Sequence, residues 1–512
     1  MAKAPDQQGD PPWFRSPHLW VSSSYFAEGF PYTVVNSMAE ILFKELGASL
    51  QVVGLTSLFH LPWNFKFIWG PFVDGYESKR RWLLLCEVVI TVVLVGLGLL
   101  AALGAQTLLP LAAGFLVLAL LSATHDIAVD GYYLEALDDD GQSRFVGYRA
   151  AAYRVAMLAV SGPLLWICAR VGWTAGLLLT AVLMGGLTAY HVVGLPQVEG
   201  RRHPWRALLA PLTSWRVLPF VGAALLLYAV ESWWALGASL SLKLSEIGEA
   251  APWLAGIGIG AWAAIALLLA LLMVLAWLPR LRRRLDAARE RGELSEYAAS
   301  FVSFLDQPKI GVVLAFVILF RTGESFLQKM RWPFFDDVVS LPLEVYGVTN
   351  GTIGVFASFT ATIIGGRLIA RDGLRRWIWP FMLAQNVLNL MYMVVALLPD
   401  PTILSGAGEG WLAYAPLTLI IALEHAGAGL GTAVFMVYLM RTCDPAHKAG
   451  HMAIVTALMS LSFTLAGVLS GFLAEAMGFA AYFGFTFLAT IPGMALIPFV
   501  PYLDGRAKAP AS

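Results

Sequence analysis

The sequence predicts an all-α membrane protein of about fourteen spans, built as two six-helix bundles with one extra helix pair between them. Three observations carry that prediction. Of 512 residues, 58% are hydrophobic and only 13% charged, with a mean hydropathy of +0.70, whereas soluble chains carry about 25% charged residues. Apolar runs long enough to cross a ~30 Å hydrocarbon core recur along the whole chain. Two charged loops of similar sequence lie about 300 residues apart, at 70–81 and 366–376, as a duplicated half would place them.

The spans fall at 19–43, 50–72, 82–103, 108–136, 145–170 and 172–195, then 217–242 and 253–279, then 310–335, 346–369, 377–398, 412–440, 451–475 and 479–502. Basic residues fix their sides, because Lys and Arg in short loops mark the cytoplasmic face. Lys3, Arg15, Lys79 to Arg81, Arg144, Arg149, Arg201, Arg202, Arg206, Arg216, the cluster from Arg280 to Arg291, Arg371, Arg375, Arg376, Arg441, Lys448, Arg506 and Lys508 fall on alternate loops. The opposite loops hold only Lys44, Arg170 and Lys243. Both termini are therefore expected in the cytoplasm. The balanced net charge gives no indication of a nucleic-acid or acidic partner. The polar, proline-rich start shows no cleavable signal, and the scattered Cys86, Cys168 and Cys443 suggest packing rather than a disulfide framework or a metal cluster.

Sliding the loop GPFVDGYESKRR onto GRLIARDGLRR by 296 positions superposes Gly70 on Gly366 and Arg80 on Arg376, and Gly29 and Gly323 occupy like points of their spans. The organisation that follows is a cytoplasmic tail (1–18), a first bundle (19–195), a cytoplasmic loop (196–216), an inserted helix pair (217–279), a cytoplasmic amphipathic linker (280–309), a second bundle (310–502) and a short tail (503–512). A parallel repeat of this kind places a site between its halves, near the midplane.

Ionisable residues inside the spans point to the same place. A charge at the bilayer centre costs about 2.5–3.5 kcal/mol even on mild scales, and such residues face a bundle interior or an aqueous path. Tyr25, Glu28, Tyr32 and Asn36 share one face of the first span; Asp126, Asp130 and Tyr133 share one face of the fourth; Arg321, Glu324, Gln328 and Arg331 form a stripe on the ninth. Lys66, Lys329, Arg154, Glu424 and His425 add further charge or polarity within spans. These residues are expected to line one polar cavity, with Lys66 or Arg154 as partners of the two aspartates, and Glu324 and Asp336 as partners of Arg321 and Arg331. His125 and His425 read as hydrogen-bonding residues. Glu231, Trp233 and Trp234 lie in the inserted pair. The glycine runs GIGIG at 256–260 and GAGLG at 427–431 follow no strand and read as close helix packing, not phosphate loops. Prolines in GFPY and LPWNF are expected to break or kink the first two spans beside the cavity.

The loop GPFVDGYESKRR resembles the signature of the major facilitator superfamily. That resemblance implies a conformational latch of Gly70, Asp74, Arg80 and Arg81, repeated at Gly366, Arg375 and Arg376, with Gly75 replacing the usual arginine and Ala370 the second aspartate. More specifically, GFPY, SLFHLPWNFKFIWGPFVD, SATHDIAVDGYYLE, the GYR at 147–149 and EHAGAGLGTAVFMVYLMRTCD resemble the AmpG family of muropeptide permeases over nearly the whole chain. The resemblance implies a proton-coupled permease of the bacterial inner membrane that imports anhydromuropeptides. In it Lys66, Arg154 and Arg321 would hold ligand carboxylates, joined by Glu324, Gln328 and Asn36 as polar contacts. Tyr25, Tyr32, Trp63, Tyr132, Tyr133 and Trp332 would supply rings for sugar faces. Asp126, Asp130, Glu28 or Glu424 would carry the proton. No cofactor, no catalytic residue and no resident metal are implied; the partners are a small anionic solute, protons and lipid, and the chain is expected to be a monomer. Related acetyl-CoA transporters share the run from Lys66 to Asp74, so another anionic solute stays open. A membrane-embedded acyltransferase using a buried histidine is the reading from a different class.

Overall fold

The computed structural model describes residues 12–504 except 67–68, 199–279, 281–282, 284–285, 288, 292–295, 406–409 and 445–446. The expected seventh and eighth spans, the cytoplasmic loop before them and most of both tails lie outside the described residues. Among the described residues every regular element is a helix, and nine stretches are long and apolar enough to cross a membrane.

The first span runs through Pro17–Thr33, the wider π turn Val34–Met38 and Ala39–Glu45. Pro31 sits just before that turn; a proline inside a helix removes one backbone bond and crowds the preceding turn, so the chain widens there. Two residues on, the hydroxyl of Thr33 donates back to Gly29 O (2.7 Å). The same device recurs at Pro163 within the π turn Val160–Leu164 of the fifth span and at Pro333 ahead of Phe335–Val339 in the ninth. In the second span, Pro62 stands where the tight turn Thr56–His60 passes into Leu61–Phe65. The kinks expected from GFPY and LPWNF are thus changes of helix pitch. The remaining spans of the first half are Lys79–Ala101, Leu108–Ala136, Asp139–Ala159 continuing to Val171, and Trp173–Gly194.

The second half begins with the surface helix Glu296–Leu305. The ninth span follows as Ile310–Leu319, Thr322–Phe334 and Phe335–Val339, the tenth as Leu343–Tyr346 through Val355–Asp372, the eleventh as Leu374–Val387 and Leu390–Ala396, and the twelfth as Ala415–Thr442. The stretch Lys448–Leu488 folds back at Gly478, whose φ of 74° only glycine adopts cheaply, and so supplies the thirteenth span and the start of the fourteenth.

Packing repeats with the sequence. The first span lies against the fifth, and the ninth against the thirteenth; between the halves, the second meets the thirteenth and the tenth meets the fifth. Each inter-half seam is the image of the other under the eight-span shift. Both seams need bare backbone: a Cβ on Gly351 would stand 1.6 Å from the Ser161 carbonyl oxygen, and one on Gly471 2.0 Å from that of Leu50.

The seams belong to one end of the molecule. That end carries Lys44, bound to Asp337 (2.5 Å) and Asp336 (3.6 Å), and Arg170, bound to Glu344 (2.5 Å), all three contacts running from one half to the other. At the other end Arg15 and Arg80 donate to carbonyls of Val193, Val192 and Leu195, and the described ion pairs stay within a half. The halves are closed on each other at the Lys44 end.

Candidate functional site

A cavity of about 490 Å³ lies between the halves. The first span contributes Asn36 and Glu40, the fifth Tyr153 and Arg154, the ninth Gln328, Lys329 and Arg331, the tenth Tyr346, Asn350 and Phe359, and the twelfth His425. Its polarity is organised in pairs. Lys329 holds Glu40 across the halves at 2.7 Å. One nitrogen of Arg331 reaches both oxygens of Glu424 (2.9 and 3.0 Å), while the other donates to Asn350 (3.1 Å) and to Nε2 of His425 (3.2 Å). Guanidinium cannot accept, so that imidazole nitrogen accepts, and the other, Nδ1, faces both Glu424 (2.9 Å) and the Ile421 carbonyl (3.0 Å). Tyr392 completes the shell of Glu424 at 3.2 Å. Arg331 therefore takes Glu424 as its partner, not the Glu324 or Asp336 expected from proximity in sequence; Asp336 faces Lys44 instead.

Arg154 differs from these. It lines the cavity with its guanidinium over the Phe359 ring of the opposite half (4.7 Å), and no carboxylate pairs with it among the described residues. Among the described residues of the cavity wall, Lys329 and Arg331 are each held by an acid, Glu40 and Glu424, and Arg154 is not.

A second cluster sits in the first half. Glu28, Asp126 and Asp130 bring one oxygen each within 4.8 Å of one another. Lys66 forms an ion pair with Asp126, Arg149 binds Asp130 (2.9 Å), and Tyr25 donates to Asp130 (2.8 Å). Such an oxygen set suits a small cation, but two side-chain cations already hold it. With every group ionised the cluster carries one negative charge. One oxygen of Glu28 is buried with no hydrogen-bond partner among the described residues.

Between cluster and cavity stands an aromatic layer. Tyr32 meets Trp63 (5.0 Å), His60 (5.8 Å) and Tyr153 (5.9 Å). Asn36 accepts from His60 Nδ1 (2.8 Å), which leaves Nε2 of that ring to accept from Ser460 of the other half (2.5 Å).

The structure separates the remaining candidates. Arg321 stands at the break between Leu319 and Thr322, and Glu324 is bound to Gln328 (2.6 Å). Four rings expected at a ligand surface are enclosed: Tyr25 and Tyr133 pack on each other at the acid cluster, Tyr132 donates to Pro196 O (2.7 Å) towards the basic end, and Trp332 is core against Tyr346. The three cysteines are buried and free. In the latch loop the partner of Asp74 is the buried Lys79, not an arginine; Arg81 takes Glu77 (2.6 Å) and Arg80 takes backbone carbonyls. The loop copy at Gly366 pairs Asp372 with Arg371 (3.1 Å) and, loosely, with Arg376 (3.9 Å), and Arg375 with Asp504 (2.6 Å).

Sequence reasoning missed Glu40, His60 and a fully enclosed group in the first half. There Glu87 binds His191 (2.6 Å) and lies 3.3 Å from His125, while His191 also meets Ser23 (2.9 Å). Glu40 had a signal, because it continues the four-residue rhythm of Glu28, Tyr32 and Asn36. Glu87 and His191 had only their isolation in apolar runs.

No protein-family model matches the chain. Relatives do, over most of its length: an uncharacterized protein of Haemophilus influenzae, 24% identical over 92% of this chain and 91% of its own, and the anhydromuropeptide permease of Escherichia coli K12, 22% identical over 92% of this chain and 77% of its own. Among solved structures, a peptide transporter POT in complex with sulfate superposes with a TM-score of 0.60 at 16% identity, covering 95% of this chain and 94% of its own. The fold is that of this solved transporter. The long apolar helices among the described residues and the permease name of the Escherichia coli relative agree with transport rather than enzymatic turnover.

Proposed function

We propose that the chain imports an anhydromuropeptide-like anionic solute across the bacterial inner membrane, from periplasm to cytoplasm, driven by protons through alternating access. The carrying observation is the cavity between the halves, in whose wall Arg154 has no carboxylate partner among the described residues while Lys329 and Arg331 are paired. A guanidinium without a counterion is a ready site for a ligand carboxylate, and Arg binds carboxylates in a planar, two-point geometry. The aromatic layer offers Tyr32, Trp63 and Tyr153 as faces for sugar rings, and the relation to the Escherichia coli permease supports the solute class. The acid cluster of Glu28, Asp126 and Asp130 supports proton coupling, because three carboxylates against the two cations Lys66 and Arg149 leave a net charge of minus one, which one proton neutralises, lowering the cost of closing a low-dielectric site around it. With the basic loops in the cytoplasm, the closed Lys44 end faces the periplasm and this state receives its exchange from inside.

Counterflow into proteoliposomes tests the reading. Vesicles preloaded with an anhydromuropeptide should take up labelled compound, and an inward acid gradient should drive accumulation. A panel containing a simple sugar and acetyl-CoA decides the solute: uptake of acetyl-CoA with none of any anhydromuropeptide would overturn the proposal and leave the fold untouched.

A further inference from the structure

Three ion pairs tie the halves together at the closed end, and they differ in depth. Lys44 with Asp336 and Asp337, and Arg170 with Glu344, have side chains that water reaches, up to 39% and 54% exposed. When the halves part, these groups are solvated and lose little. Glu40 and Lys329 are different: their side chains are 13% and 6% exposed, they bond at 2.7 Å, and they border the central cavity. The stem of Lys329 lies near Gly467, on the seam of the second and thirteenth spans. Separating the halves draws this pair apart inside a site that does not hydrate it freely, and a buried charge stripped of its partner is far more costly than an exposed one.

A ligand end bearing both an ammonium and a carboxylate solves that problem, since its ammonium can replace Lys329 beside Glu40 and its carboxylate can replace Glu40 beside Lys329. We propose that the Glu40–Lys329 pair is a recognition site for such a zwitterionic end, which inserts between the two side chains and permits the halves to part. The inference rests on the transport reading above and sharpens its solute class: a compound with one zwitterionic end and one further carboxylate, the latter for Arg154. Asn36 and Gln328 stand beside the pair in the cavity wall and provide neutral donors and acceptors around it.

The test uses the full-length protein in proteoliposomes and an anhydromuropeptide whose stem peptide keeps a free amine and carboxylate. The same compound N-acetylated on that amine, or amidated on that carboxylate, provides the comparison. Wild type should prefer the unmodified compound to either derivative by about tenfold or more, the scale of one charge-assisted contact. Glu40→Gln should lose the preference for the free amine and keep that for the carboxylate; Lys329→Gln should do the reverse. The exchange of both residues, Glu40→Lys with Lys329→Glu, keeps an ion pair and hence the folded protein, yet should leave uptake of the unmodified compound at least tenfold below wild type. If the exchange restores uptake fully, or if both single variants discriminate as wild type does, the pair is only a structural tie and the inference is wrong. If wild type transports none of the three compounds, the solute reading and this inference fall together, whereas wild-type transport with unchanged discrimination in the variants removes this inference alone.

Discussion

At the residue level, the sharpest contrast is between paired and unpaired cations in one cavity. Arg331 is held at both oxygens of Glu424, which is fully buried, so its charge serves structure, while Arg154 lies over the Phe359 face with no carboxylate partner among the described residues. Arg154→Gln should therefore raise the KM for an anionic solute about tenfold to a hundredfold, from the ~1.5–3 kcal/mol of a charge-assisted bond, with Tm unchanged; an equal KM would show that the ligand bypasses it. Arg331→Ala should do the opposite, leaving Glu424 buried without its cation at a cost of about 3–5 kcal/mol, read as a large fall in Tm. In the acid cluster, Asp130→Asn keeps the shape and the Tyr25 contact but removes one negative charge. Accumulation driven by an acid gradient should then be lost while gradient-free counterflow persists, and accumulation equal to wild type would place the proton elsewhere. These residues were legible in the sequence as ionisable groups on helix faces, because hydrocarbon forbids charges without a purpose. Their pairing was not. Periodicity tells which face a side chain shares within a span, so Asp126 and Asp130 came together correctly, but it cannot tell which span lies opposite. That is why Lys329 waited for Glu40, and Arg331 for Glu424.

At the level of elements, prolines and glycines shape the path. Pro31, Pro163 and Pro333 each stand in or just before a widened turn of a cavity-lining span, and the closed seams depend on glycines at which a methyl group would strike backbone. A backbone carbonyl cannot rotate away as a side chain can, so Gly351→Ala should force the fifth and tenth spans apart at the Lys44 end. Cysteines introduced as Lys44→Cys and Asp337→Cys report this, since the native cysteines are buried. A short bifunctional maleimide should bridge them readily in the parent chain and several-fold less with Gly351→Ala. Equal bridging would mean that the seam absorbs a methyl group and does not govern closure. The spans among the described residues were readable from hydropathy and length, as were the kinks at Pro31 and Pro62 but not those at Pro163 and Pro333; the form of the kinks was not, because a change of helix pitch follows from how neighbouring backbones pack around a proline rather than from the proline itself.

For the whole molecule, the duplicated loop was the strongest signal in the sequence, and the packing repeats it: a shift of eight spans carries the first and fifth onto the ninth and thirteenth, and turns one inter-half seam into the other. Duplication makes the two halves alike, but function needs two ends that differ, and the asymmetry is written in charge. Asp74 with Lys79 and Asp372 with Arg371 close off each half by itself at one end, whereas Lys44 with Asp336 and Asp337, and Arg170 with Glu344, join the halves at the other. Exposed pairs of this sort contribute about 0–1 kcal/mol each, too little to hold the fold and enough to bias an equilibrium between two global states by a few-fold. The double variant Lys44→Gln with Arg170→Gln should thus leave Tm unchanged yet lower the population closed at that end, measured as the distance between spin labels attached across it. Raised salt should shift wild type in the same direction and leave the variant unmoved, because screening acts on exposed charges within a Debye length of about 10 Å at 0.1 M. A variant whose label distances and salt response match wild type would show that glycine packing alone sets the balance between the ends.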